Sequence, residues 1–293
     1  MHDERPSATA LLIAKSQLLL AEESAYSQIV DATRADYYRR FLEAVTNRPW
    51  HLGLMKKCWL RFIERVSIPG IYLHYALRKC CIEQITRDFL ARTRRQQIVV
   101  IAGGMDPLAE ILSEQYREAA FFELDHPATQ KAKRAALRDV NNVTLLSVDL
   151  TRQSIGEMLE GVLSPDRPTL FIAEGITMYL SNLEIDKFFR QIRASARHEE
   201  SCFVFTYMNR QASGSIRFES ATWIANCWLR LKKEVFKWGI ATSSLDDFLA
   251  ERGYRVMNVF DTNYLIERYL PDNRRSAVLP AKGENICLAK LTS

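Results

Sequence analysis

The sequence predicts an α/β fold: an open, mostly parallel sheet with helices on both faces, behind an N-terminal helical cap. Three observations lead there. Short apolar runs follow one another after Gln96, amphipathic stretches separate most of them, and the first four end at glycine or an acid. Strands that alternate with helices pair in parallel and are buried on both faces.

Residues 1–95 read as the cap. A helix capped near Ser7 or Thr9 carries the apolar patch Leu11 to Leu20. Apolar residues recur at helical spacing in Tyr37, Tyr38, Phe41, Leu42 and Val45, and again in Trp59, Phe62, Ile63 and Val66. Asn47-Arg48-Pro49 and Ser67-Ile68-Pro69-Gly70 break the pattern. Two acids precede the first apolar patch and no clear small-residue cleavage site follows it, so a secretory signal is not expected.

Residues 96–293 read as the core. Its strands are IVVIA (98–102), AFFEL (120–124), TLLSV (144–148), TLFIA (169–173), CFVFTY (202–207), RVMNVF (255–260) and ENICLAKL (284–291). Helical stretches run from Asp106 to Gln115, His126 to Arg138 and Asn182 to Ala196. The last two strands, joined by a long loop from Asp261 to Gly283 without a strong helix, are expected to pair antiparallel at one end of the sheet. The aromatic segment FESATWIANCWLRLKKEVFKWGI (218–240) has a roughly helical pattern. It forms part of an insertion near 214–240 that is expected to cover a substrate.

Composition narrows the class. With 293 residues, 47% hydrophobic and 26% charged, the chain can bury a large core, which sets aside disordered and fibrous classes. No apolar run approaches the roughly 18 residues needed to cross a bilayer. The six cysteines include no CxxC pair, and Cys80-Cys81 are adjacent. That suits reduced thiols in a cytoplasmic protein better than a disulfide ladder or a zinc site. The net charge of +5 is concentrated in residues 1–95, where 16 Lys and Arg face 10 Asp and Glu. Such asymmetry fits either solvated helix faces or an acidic partner. No nucleic-acid-binding signature accompanies it, so nucleic acid is not expected as a partner.

QIVVIAGGMDPLAEIL (97–112) raises the functional question. A strand that runs into Gly103-Gly104 brings backbone close to a ligand at the carboxyl edge of the sheet. A dinucleotide turn would read GxGxxG and seat a pyrophosphate on the helix N-terminus. Here the third glycine is missing and Asp106 opposes a phosphate, which disfavours a nicotinamide-dependent oxidoreductase. An acid suits a ligand with a positive group, and S-adenosylmethionine has an ammonium, a sulfonium and no phosphate. The second strand ends at Asp125, about 20 residues on, the spacing at which a carboxylate accepts from ribose hydroxyls. Before Pro127, Asp125 would also make a good helix cap. Asp149-Leu150 would offer a carboxylate to an exocyclic amine and an apolar contact to a purine face. Glu174-Gly175 ends the fourth strand.

ELDHPATQKAK, SVDLT, FIAEGITMYLS and the N-terminal SATALLIAKS resemble the leucine carboxyl methyltransferase family, including its bacterial O-methyltransferases tied to polyketide pathways. The resemblance runs from about Ser7 to the final strand. It implies a Rossmann-like class I methyltransferase sheet, mostly parallel with the last strand antiparallel. It also implies an enzyme that uses S-adenosylmethionine and releases S-adenosylhomocysteine, with no metal. By the same resemblance, Gly103 and Gly104 lie under the methionine portion and Asp106 orders that loop. Asp125 holds the ribose, Asp149 and Leu150 contact the adenine, Glu174 lies near the amino group, and Arg78 pairs with the cofactor carboxylate. The first turn departs from the family's Gly-Ala-Gly-x-Asp-Thr-Arg: this chain has Ala102 at the first glycine and Pro107-Leu108 for Thr-Arg. A divergent substrate and weakened cofactor binding would each fit that departure.

The acceptor expected is a carboxyl or hydroxyl group of a small or carrier-bound metabolite, with Tyr179, Tyr207 and Trp223 as candidate lining residues. The basic cap would suit an acidic carrier protein. Two other readings stay open at this point: a protein C-terminal carboxyl methyltransferase, which predicts an open groove, and a non-catalytic S-adenosylmethionine-binding protein. A carboxylate acceptor needs no base, whereas a hydroxyl acceptor needs one poised near neutral pH. Of the five histidines, His51 and His74 lie in the part that would cover the site. The sequence names no base.

Overall fold

A computed structural model describes residues 6–137, 141–225, 235–270 and 279–292. Four helices open the chain: α1 (Ala8–Ala21), α2 (Ala32–Thr46), α3 (Leu54–Val66) and α4 (Ile71–Leu90). Ser7 caps α1, its side chain accepting from the Ala10 N–H, and Asp31 caps α2 in the same way on Arg34. α4 is buried along most of its length and carries His74, Arg78 and Lys79 inward.

The remaining elements alternate as expected. β1 (Gln97–Ile101), α5 (Leu108–Gln115), β2 (Ala120–Asp125), α6 (Pro127–Ala136), β3 (Val143–Ser147), α7 (Ile155–Leu159), β4 (Thr169–Ala173), α8 (Asn182–Ser195) and β5 (Cys202–Met208) come first. α9 (Leu245–Ala250), β6 (Tyr254–Phe260), α10 (Thr262–Tyr269) and β7 (Glu284–Leu291) follow. The expected loop from Asp261 to Gly283 is corrected in its first part: α10 occupies it, capped by Asp261 on the Tyr264 N–H and anchored by buried Leu265. Its short apolar stripe is why the sequence pattern understates it. Trp223–Ala225 are helical, but 226–234 fall outside the described residues, and 235–239 are not helical.

The seven strands form one sheet in the order β3-β2-β1-β4-β5-β7-β6. β1 to β5 run parallel, while β7 is antiparallel to both β5 and β6. Alternate residues of β1 enter opposite cores, Ile98 and Val100 one, Val99 and Ile101 the other. This is the period-two signature of a strand covered on both faces. The cap helices with α5, α6 and α10 build the first core, and α7, α8 and α9 the second.

Register places the functional residues on one edge. Ile101 lies beside Leu124 and Ala173, and Asp125 beside Ser147. Because β7 runs the other way, its first residue, Glu284, pairs with Met208 at the end of β5. Gly70 opens α4 at φ 81°, and a Cβ there would stand 2.2 Å from the Leu279 carbonyl oxygen. No helix of the described residues is long and apolar enough to cross a membrane.

Candidate active site

After β1 the chain turns through Ala102 at φ 54° and Gly104 at φ 59°. A left-handed alanine costs roughly 1–2 kcal/mol, partly offset by the unfolded-state freedom that glycine would add. Ala102→Gly is therefore expected to stabilise the protein by about 1 kcal/mol or less. Denaturant unfolding checks this, and a loss of stability would contradict it.

Asp125 ties the turn together. Its Oδ2 accepts from the Gly104 N–H and its Oδ1 from the His126 N–H, both at 2.6 Å. It does not cap α6, because the His126 ring fills that place by accepting from the Ala128 N–H. Asp106 Oδ1 accepts from the Leu108 N–H at 3.1 Å. The N-terminal end of α1 closes over the turn, so that a Cβ on Gly104 would lie 3.3 Å from that of Ala10.

A ladder of buried charges continues across the edge. Lys79 Nζ donates to Asp106 Oδ2 at 2.6 Å and to Glu174 Oε1 at 3.1 Å. Arg78 donates from Nε to Glu174 at 2.8 Å and from Nη1 to both oxygens of Glu284, at 2.8 and 2.6 Å. His74 Nε2 lies 2.8 Å from Glu284 Oε2. Burial would raise the Glu284 carboxyl, but the Arg78 guanidinium and the His74 bond overcome it and hold it down at about 2. Burial opposes ionisation of Asp106 as well, and the Lys79 ammonium more than offsets it.

A second buried group supports the turn from below. Lys133 Nζ donates to the Asp106 carbonyl at 2.6 Å and pairs with Glu123 at 2.6 Å and Glu110 at 3.5 Å. One lysine serves two acids, so burial first, then the Glu110 charge, pushes the Glu123 carboxyl up to about 8. The folded state then keeps a proton that the unfolded state releases near 4.5. Stability contributed by this group falls as pH rises from about 4.5 to about 8. Glu123→Gln is expected to flatten that fall; melting temperatures across this window check it, and an unchanged pH dependence would contradict it.

The other candidate residues take varied places. Asp149 is partly exposed and its Oδ1 accepts from the Thr151 N–H and hydroxyl, at 3.0 and 2.6 Å. Leu150 packs at the margin of the second core. Tyr179 meets Phe236 edge-on at 5.7 Å, Phe236 meets Phe218 at 6.1 Å, and Phe218 meets His74 at 5.4 Å. An aromatic wall thus runs from the β4 turn to His74. Tyr207 faces the second core, its hydroxyl 3.0 Å from that of Thr242, and Trp223 is exposed.

Lys79, Glu284 and the Lys133 group join the assembly without having been singled out in the sequence as site residues, and so does His74, which the sequence places only in the covering part. Glu284 has a readable signal: in an antiparallel strand it is the first residue, not the last, that reaches the carboxyl edge.

A parallel sheet closed by an antiparallel β7, with glycines and acids at successive strand ends, defines a class I S-adenosylmethionine-dependent methyltransferase. The chain belongs to the leucine carboxyl methyltransferase family, whose model it matches over residues 17–193. It resembles two solved structures in fold. One is a protein provisionally classed as a methyltransferase from Thermobifida fusca YX (TM-score 0.59, 14% identity, covering 87% of this chain and 94% of the other). The other is a DUF574-family protein from Streptomyces avermitilis MA-4680 (TM-score 0.60, 12% identity, 86% and 96%). No curated protein matches the chain.

Proposed function

We propose that this methyltransferase transfers the methyl group to a carboxyl or hydroxyl oxygen of a small or carrier-bound, polyketide-like metabolite. The edge residues fit S-adenosylmethionine. Asp106 and Glu174 already hold one primary ammonium, that of Lys79, and so form a setting suited to another. Asp125 accepts from two backbone N–H groups and from the Thr129 hydroxyl, and a carboxylate has room for a further donor, a ribose hydroxyl. Gly103 and Gly104 would lie under the methionine portion and Asp149 with Leu150 beside the adenine. Arg78 would share its guanidinium between the cofactor carboxylate and its present acids.

When bound, the cofactor supplies an electrophilic methyl group on a sulfonium. The chain's part is alignment and exclusion of water. The observation that carries the small-acceptor reading is burial: His74, Arg78 and Lys79 on α4 are 1%, 3% and 6% exposed, and the His74 ring meets the Phe218 end of the aromatic wall. A protein C-terminus would call for an open groove.

The test is incubation with methyl-labelled S-adenosylmethionine and a panel of hydroxyl and carboxyl acceptors, free and carrier-bound, beside a peptide ending in a leucine carboxylate. Label in a small or carrier-bound acceptor is expected. Label confined to the peptide would replace this reading with protein carboxyl methylation.

A further inference from the structure

We propose that His74 is the general base for a hydroxyl acceptor, with Glu284 as the positioning residue that fixes its tautomer. The inference rests on the O-methyltransferase reading and narrows it to hydroxyl acceptors, phenols foremost.

The His74 ring is 1% exposed, and its two nitrogens differ. Nε2 lies 2.8 Å from Glu284 Oε2, while Nδ1 is buried with no hydrogen-bond partner among the described residues. Glu284 itself is held on several sides: Arg78 Nη1 donates to both oxygens, and the Thr206 hydroxyl bonds to it. A carboxylate gripped in this way is an acceptor, so Nε2 carries the hydrogen and Nδ1 presents its lone pair. An unpaired buried nitrogen costs about 1–3 kcal/mol, and such exceptions call for an explanation. A hydroxyl group donating to Nδ1 would remove that cost.

Position and charge agree. Glu284 stands at the carboxyl edge beside the end of β5, and Arg78 links it to Glu174. The Phe218–Phe236–Tyr179 wall beside the ring suits a flat apolar acceptor. Among the described residues of this edge, Lys79 and Lys133 are paired with acids, and Arg78, paired with two acids, is the one already assigned to the cofactor carboxylate, which leaves none of the three for an acceptor carboxylate. The charged and titratable groups around His74 are Glu284 from β7, Arg78 and Tyr75 from α4, and Glu174 through Arg78.

In the step, the acceptor hydroxyl gives its proton to Nδ1. Its oxygen forms the bond to the methyl carbon, the carbon–sulfur bond breaks, and that electron pair stays on sulfur. The imidazolium formed is stabilised by Glu284 and later releases its proton to water.

The test has two readouts. The first uses protein isotope-labelled in its histidine rings, with S-adenosylhomocysteine present at mildly alkaline pH. Proton–nitrogen correlation, with His74 assigned from His74→Gln, should show hydrogen on Nε2 and a bare Nδ1. Glu284→Gln should weaken that tautomer preference. Hydrogen on Nδ1, or a preference that Glu284→Gln leaves untouched, would overturn the proposal. The second compares methyl transfer to 4-nitrophenol and 4-methylumbelliferone with transfer to benzoate and phenylacetate. Phenols should be methylated, and His74→Gln should lower kcat about 100-fold or more while S-adenosylhomocysteine affinity holds within about twofold. The acid limb of the pH–rate profile should disappear with it. Transfer to carboxylates that His74→Gln leaves intact would overturn the proposal. If no acceptor in the panel turns over, the tautomer readout decides alone. Failure of the wild type to bind S-adenosylhomocysteine would instead remove the cofactor assignment.

Discussion

Arg78→Met is expected to destabilise the protein by about 3–5 kcal/mol, the range for removing one partner of a buried ion pair. Arg78 is 3% exposed and is the main counter-charge of Glu284, sharing Glu174 with Lys79. Methionine fills much of the volume and leaves a carboxylate uncompensated in a site closed to water. The sign of the pH response follows. In the wild type, burial works against Glu284 but Arg78 and His74 hold its carboxyl at about 2, below its ordinary 4.5. Its contribution to stability is complete above about 4.5 and is lost as pH falls toward about 2. In the variant, burial is less opposed and raises the carboxyl instead, so mild acidification should stabilise it relative to neutral pH. Melting curves at neutral and mildly acidic pH check this. A variant as stable as the wild type, or one weakened further by mild acid, would contradict the charge ladder.

Gly70→Ala is expected to cost about 3 kcal/mol, from a left-handed backbone that alanine tolerates poorly and a contact that backbone must give way to. The φ of 81° is one part, and the clash of the added Cβ with the Leu279 carbonyl oxygen is the other. The Ala281 N–H also donates to the Gly70 carbonyl at 3.0 Å, so the segment entering β7 is fastened to the start of α4. Glu284 follows three residues later and His74 lies one turn along the helix, so the substitution should disturb their 2.8 Å contact as well. Denaturant unfolding reads the loss; a change below about 1 kcal/mol would mean the two segments are not fastened as described.

The fold is legible in the sequence wherever period and strand ends agree. The runs from IVVIA to ENICLAKL match their strands within a residue or two; β1, β2, β4, β5 and β7 read clearly because they are largely buried, while the edge strands β3 and β6 are partly exposed and read from their apolar residues alone. Asp125 is readable from its distance to the glycines. Its bonds to the Gly104 and His126 N–H groups show a second role, bracing the turn, that spacing does not reveal. Glu284 is legible only once its strand is taken as antiparallel, which puts its first residue at the carboxyl edge, and Lys79 is hidden because it sits in a buried helix beside an arginine that draws attention first. Lys133 and Glu123 are hidden because each faces the interior, where a single sequence gives no sign of which charges are paired. Only the register of β1 with β2 and the packing of α4 over the edge bring these residues together.

Calorimetric binding of S-adenosylmethionine and S-adenosylhomocysteine, with NADH as control, on the wild type and on Asp125→Ala is the most direct test of the cofactor site. Both adenosyl ligands should bind the wild type, NADH should not, and the substitution should weaken binding by about tenfold or more, near 1.4 kcal/mol. Equal binding by the two proteins would move the ribose away from Asp125, and absence of binding to the wild type would contradict the site itself.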